Sequence, residues 1–212
     1  MIKALIFDFD GVLVMSEEPR FKVLQSIAKR HDAVITDDHF KDLVGRTTKN
    51  FLAHHFAELP AASVAAICND FNHEFKDKII DHVTPIAATT DFVRSYTGPL
   101  TLAVASGSDV KVLETMLRHL GIRDRFAHVF GKEHVTSHKP DPAVYKLALS
   151  ELGVNPAECL IIEDSISGVT AALGAGVKTY VFLNGLNDVS MFANLPVAGF
   201  ISQPAEIAAL LN

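Results

Sequence analysis

Ala4-Leu5-Ile6-Phe7-Asp8-Phe9-Asp10-Gly11 is the stretch on which the fold turns. Residues 4–9 form a short, largely apolar run without alternation, which reads as a strand buried on both faces inside a parallel sheet. Asp10-Gly11 marks the turn by which the chain leaves that sheet. If the strand continued through them, Asp8 and Asp10 would point to the same side. Two carboxylates held together repel unless a cation or a proton intervenes. Asp10 alone is also an ordinary turn-capping residue at a strand end.

Beyond this stretch the pattern changes. From about residue 19 to 80 the periodicity is helical: Ile67, Phe71, Phe75 and Ile79 recur every fourth residue, and Phe51, Leu52 and Phe56 mark a second apolar face. After Pro85, strands alternate with helices. Strands are expected at 100–105, 128–130, 159–162 and 178–182. The helix capped by Asp109 carries Val110, Leu113, Leu117 and Leu120 on one face and stops at Gly121. Further helices are expected at 142–152, 165–175 and 204–211. This alternation predicts right-handed βαβ units, hence an α/β fold with a Rossmann-like, doubly wound parallel sheet. The core takes residues 1–14 and 86–212, and an all-helical domain is inserted at 15–85, with hinges expected near 14–19 and 81–87. Ligands of such sheets sit beyond the carboxyl ends of the strands.

Three predicted strands run into polar clusters at that end: Asp8-Phe9-Asp10-Gly11, Ser106-Gly107-Ser108 and Glu163-Asp164-Ser165. A fourth cluster, Lys139-Pro140-Asp141-Pro142, precedes a helix. Two converging acidic pairs suit a hard divalent cation, and magnesium takes one or two carboxylates and completes its shell with water and phosphate oxygens. Ser106 and the N–H groups of Gly107 and Ser108 stand before a helix, where free amides and the dipole favour an anion, and Gly107 permits close backbone approach. Lys139 adds positive charge. Each cluster alone also fits a loop, a helix cap or a solvated surface charge.

Composition sets the outer limits. A formal charge of -6 and no basic block argue against nucleic-acid binding by counterion release. No window reaches the length of a membrane span, and no secretory leader is recognisable, so a reducing cytoplasm is the expected compartment. The two cysteines, Cys68 and Cys159, read as core residues. The ten histidines form no metal pattern, His54-His55 included. Neither a dinucleotide fingerprint nor a P-loop is present.

On its four clusters, including Ile162-Glu163-Asp164-Ser165 followed by Gly168, the sequence closely resembles the haloacid dehalogenase superfamily. The likeness is to its phosphatase and phosphomutase branch, which carries a helical cap after the first strand, and it covers nearly the whole chain in order and spacing. The resemblance implies that Asp8 attacks phosphorus to form an aspartyl-phosphate, while Asp10 protonates the leaving oxygen and then takes a proton from water. It also implies Mg2+ held by the Asp8 carboxylate, the Asp10 carbonyl and Asp164, with Glu163 in support, and a phosphate held by Ser106, Gly107 and Lys139. The expected partner is a small phosphorylated metabolite, such as a sugar phosphate, on a monomer or weak homodimer.

A β-phosphoglucomutase-like mutase shares these motifs. Mutases of that type usually place an acidic residue where Met15 stands and a histidine where Arg20 stands. In the loop Val44-Gly45-Arg46-Thr47-Thr48-Lys49, the arginine expected three residues after glycine is Thr48. These departures favour hydrolysis. Arg20, Gly45, Arg46, Thr47 and Lys49 become candidates for reading the rest of the substrate. A dehalogenase would need neither Asp10 nor the complete cation site. A signalling receiver domain would have no use for the helical insertion, and a non-catalytic binding module would have no need to keep all four motifs.

Overall fold

The computed structural model describes residues 1–44 and 46–210, with the side chains of 76–82 and 204 outside that description. Two compact units emerge, Met1–Met15 with Pro85–Asn212, and Ser16–Thr84.

The first unit is built on six strands: β1 (Ala4–Phe7), β4 (Thr101–Ala105), β5 (His128–Phe130), β6 (Cys159–Glu163), β7 (Lys178–Phe182) and β8 (Gly199–Ile201). Their spatial order is β5-β4-β1-β6-β7-β8, and every pairing is parallel. All four residues of β1 are fully buried, because helices cover both sheet faces. Ala4 and Ile6 point into a cluster with Ala103, Ile161 and Tyr145, under α7 (Ala143–Leu152) and α8 (Ile166–Gly174). On the other face, Phe7 meets Phe92 and Phe126 with ring centres 6.2 and 6.1 Å apart.

Strand β8 and α5 (Ala87–Ser95) escape the sequence reading. The short segment Gly199-Phe200-Ile201 opens on glycine, a residue depleted in strands, and shows no strand period. The inward face of α5 includes Thr89 and Thr90, so its apolar stripe is broken. Those hydroxyls satisfy backbone carbonyls, Thr89 donating to Val12 and both to Ile86. At the start of α6 (Val110–His119), Asp109 occupies the cap position without a capping hydrogen bond. Its carboxylate lies 3.1 Å from Lys132, and the Val110 N–H donates instead to Glu133 at 3.0 Å.

The second unit is helical: α1 (Glu17–Arg30), α2 (Phe40–Leu43), α3 (Thr48–His55) and α4 (Ala61–His82). Helix α1 buries Phe21, Leu24, Ile27 and Ala28, the three-to-four-residue spacing of one helix face. They pack with Leu43, Phe51, Leu52, Ile67 and Phe71. The rings of Phe71 and Phe75, one turn apart, stack at 5.2 Å. A two-stranded sheet of β2 (Val14–Met15) and β3 (Thr84–Pro85) lies where the chain passes from one unit to the other. Both cysteines are free. Among the described residues, no helix is long and apolar enough to cross a membrane.

Candidate active site

The connectivity of the sheet selects the place. From β1 the chain goes to β4 on one side and later to β6 on the other, so the strand order reverses at the carboxyl end of β1. Register aligns Phe7 with both Val104 and Ile162, which sets the residues after these strands level with one another. Asp8 is the first residue past β1, and its N–H still donates to Ile162 at 2.9 Å. Ser106 follows β4, and Glu163 ends β6.

Lys139 ties the clusters together. Its ammonium donates to Asp8 Oδ1 at 2.7 Å, Glu163 Oε1 at 2.6 Å and the Ala105 carbonyl at 3.1 Å. The fully buried Glu163 is satisfied at both oxygens. Oε1 also accepts from the Tyr145 hydroxyl at 2.8 Å, and Oε2 accepts from the Asp164 and Ser165 N–H groups and the Ser165 hydroxyl. Gly168 explains itself here, since a Cβ at that position would run into the Glu163 carboxylate.

The electrostatics are dominated by excess negative charge. Burial first, then Glu163, push the Asp8 carboxyl up to about 8 against the opposing pull of Lys139, and Asp10 adds to the rise. Burial and Glu163 likewise raise the Asp164 carboxyl well above its ordinary value. Burial opposes the charge on Lys139, yet Asp8 and Glu163 outweigh it and keep the ammonium protonated far above neutrality. Ligand oxygens of Asp8, Glu163 and Asp164 fall within 4.8 Å of one another. An all-oxygen, under-neutralised cluster of this kind fits a hard divalent cation such as magnesium. With both Glu163 oxygens engaged, Asp8 and Asp164 are the carboxylates best placed to hold it.

A family profile described as haloacid dehalogenase-like hydrolase matches residues 5–182. The chain belongs to that family. Among the relatives of this hydrolase, YhcW of Bacillus subtilis, named as a phosphatase, is 33% identical over 202 residues, covering 91% of this chain and 88% of the relative. The fructose-1-phosphate phosphatase YqaB of Escherichia coli is 30% identical over 175 residues, covering 82% and 92%. Among solved structures, CbbY of Rhodobacter sphaeroides in complex with phosphate superposes with a TM-score of 0.81 at 25% identity, covering 98% of this chain and 96% of that one.

Asp8, Asp10, Ser106, Gly107, Lys139, Glu163 and Asp164 of this haloacid dehalogenase-like hydrolase all lie in the α/β unit. The structure departs from the sequence reading in how Asp8 and Asp10 are related. Strand β1 stops at Phe7, and the chain turns back through Gly11, whose φ is +80° and whose N–H donates to Val14 at 2.7 Å. The two carboxylates therefore take different partners: Lys139 for Asp8, and the Ser108 hydroxyl, at 2.7 Å, for Asp10. The nearly buried Ser106 hydroxyl accepts from the Ser108 N–H at 3.1 Å. A Cβ on Gly107 would meet nothing within 4 Å, so crowding by the protein does not require glycine there.

Sequence reading overlooked Tyr145, the hydroxyl of Ser108, and the pair Asn184 and Asn187. The asparagines follow β7 in Asn184-Gly185-Leu186-Asn187, a polar cluster at the same end of the sheet as the others, and that position was the available signal. Tyr145 sits inside α7 with the look of a core residue, and nothing in its spacing marks it.

The remaining candidates belong to the helical unit. Arg20 is mostly buried and already engaged, donating to Glu17 at 3.0 Å and to the Arg46 carbonyl at 2.5 Å. Thr47 caps α3 by accepting from the Asn50 N–H at 3.2 Å. Arg46 and Lys49 are exposed, and Gly45 lies outside the described residues.

Proposed function

We propose that this chain is a magnesium-dependent phosphatase acting on a small phosphomonoester, a sugar phosphate foremost, through an aspartyl-phosphate on Asp8. The observation that carries the reading is the setting of Asp8: a nearly buried carboxylate at the topological switch point, gripped by Lys139 and grouped with Glu163 and Asp164. The phosphatase names of its relatives support the same chemistry, and YqaB supports the substrate class.

Lys139 fixes the Asp8 rotamer through one oxygen and keeps the carboxylate oriented toward incoming phosphorus. A carboxylate attacks without a separate base. One Asp8 oxygen bonds to phosphorus as the bond to the leaving oxygen breaks, and Asp10 delivers a proton to that oxygen. Water then attacks the phosphorus and gives its proton to Asp10, so phosphate leaves and Asp8 is restored. Ser108 holds one oxygen of Asp10 throughout. Ser106 and the Gly107 N–H receive the transferring oxygens. Magnesium, when bound by Asp8, Asp164 and the Asp10 carbonyl, supplies positive charge that offsets repulsion between the carboxylates and an anionic substrate. Glu163 stands behind, holding Lys139 and the Asp164 and Ser165 amides. The helical unit serves as a cap, in which exposed Arg46 and Lys49, with Gly45 and Thr47, read the remainder of the substrate while Arg20 braces Arg46 through its carbonyl.

The test is phosphate release from sugar phosphates, phosphoglycolate and nucleoside monophosphates, with and without magnesium, by wild type and Asp8→Asn. Loss of the nucleophile should lower kcat on the order of a thousandfold or more. Equal turnover by the variant would sink the assignment. Interconversion of hexose 1- and 6-phosphates without phosphate release would transfer the chain to mutase chemistry.

A further inference from the structure

Asp164 is also held by two asparagines that no motif includes. The Asn184 side-chain amide donates to Asp164 Oδ2 at 2.9 Å and to the Gly11 carbonyl at 2.9 Å. Its own oxygen accepts from the Leu186 N–H at 3.0 Å, which fixes the orientation of the amide: a flipped group would set oxygen against two acceptors. Asn187 completes the loop. Its oxygen accepts from the Asn184 N–H at 3.2 Å, and its amide donates to the carbonyls of Asp164 at 2.7 Å and Phe182 at 3.0 Å.

Gly11 makes the third side of this arrangement. A Cβ there would collide with the Asp164 carboxylate and come within 2.9 Å of the Asn184 amide nitrogen. The turn after Asp10 and the carboxylate of Asp164 are therefore in direct contact, with one asparagine spanning both. Those are the two segments on which the cation site depends, since one follows β1 and the other follows β6.

We propose that Asn184 is a positioning residue for the cation site, a latch that holds the Asp164 carboxylate against the turn at Gly11. The proposal rests on the metal-dependent reading above. One Asp164 oxygen is committed to Asn184, so the carboxylate keeps a single rotamer and presents its other oxygen. Without the latch, Asp164 must be ordered when the cation arrives, and the turn that carries the Asp10 carbonyl loses its tie. Partners of this kind change metal affinity by about 10- to 100-fold when removed.

The experiment compares wild type, Asn184→Ala and Asn184→Leu, with Asp164→Ala as the reference for a lost ligand. Mn2+ binding is followed by electron paramagnetic resonance, and Mg2+ affinity by competition. Leucine keeps the branching of asparagine at Cγ but has no donors, and alanine leaves space where leucine adds bulk, so agreement between the two Asn184 variants separates lost hydrogen bonds from altered packing. Circular dichroism in EDTA verifies folding. Both variants should bind Mg2+ about 10- to 100-fold more weakly, while kcat at saturating magnesium stays within a few-fold of wild type. Wild-type affinity in either folded Asn184 variant would overturn the latch and leave the phosphatase reading standing. A wild type that binds no Mn2+ would overturn the metal-dependent reading itself.

Discussion

Asp8 faces two opposed demands. The proposed nucleophilic attack needs it ionised, yet burial and the neighbouring carboxylates push its pKa up to about 8 from an ordinary 3.8. This raised value has a consequence for stability whose sign is fixed by linkage. Below about 3.8 the carboxyl is protonated in folded and unfolded chains alike, and its stabilising effect is fully present. Between 3.8 and about 8 the folded chain keeps a proton that the unfolded chain has released, so stability falls as pH rises through that window. Magnesium, bound there, would supply the missing positive charge. Urea denaturation of the EDTA-treated protein is expected to show falling stability from pH 5 to 8, with magnesium restoring more at the upper end. Asp8→Asn should flatten that slope in EDTA, leaving the part that belongs to Asp164, whose carboxyl is raised for the same reasons. A wild-type profile that rises across the window would contradict this account of the site.

At the scale of elements, what could be read in advance followed from pattern. Strands β1, β4, β5, β6 and β7 are apolar runs bounded by turn residues, and Asp8, Ser106, Glu163 and Asp164 could be named from strand endings alone, whereas Lys139 reaches them from the segment before α7. Contacts formed across the sheet left no such trace. The use of Tyr145 to hold Glu163, and of Asn184 to hold Asp164, depends on which elements pack together, and a linear pattern does not state that. Ser165 joins the local and the distant levels. It caps α8 by accepting from the Gly168 N–H at 3.0 Å, and its hydroxyl donates to Glu163 Oε2 at 3.2 Å. Loss of a cap costs about 1 kcal/mol. Ser165→Ala should lower unfolding free energy by about that amount or somewhat more, because Glu163 also loses a donor. Ser165→Thr keeps the hydroxyl and should recover most of the loss in chemical denaturation, whereas equal destabilisation by both variants would mean that the cap contributes little.

For the whole molecule, the decisive fact is that each unit holds a buried apolar cluster of its own. The cluster around Ile6, Ala103, Tyr145 and Ile161 draws entirely on the α/β unit, and that around Phe21, Leu24, Phe51 and Phe71 entirely on the helical one. Among the described residues, Asp8, Lys139, Tyr145, Glu163, Asp164, Asn184 and Asn187, whose hydrogen bonds tie the acidic cluster together, all belong to the α/β unit. The chain leaves and re-enters that unit through β2 and β3, which are paired, so its two passages lie side by side. Antiparallel or parallel, neighbouring strands stand about 5 Å apart, a gap that a few glycine and serine residues span at about 3.5 Å each. Replacing residues 16–84 with such a linker should give a chain that folds cooperatively, with the far-ultraviolet circular dichroism of an α/β protein and a thermal transition that magnesium raises. If the helical unit acts as a cap, the shortened enzyme should still release phosphate slowly from p-nitrophenyl phosphate while losing its preference among sugar phosphates. Failure to fold would show that the α/β core depends on the helical unit despite its separate packing, and an unchanged substrate preference would remove the helical unit from substrate recognition.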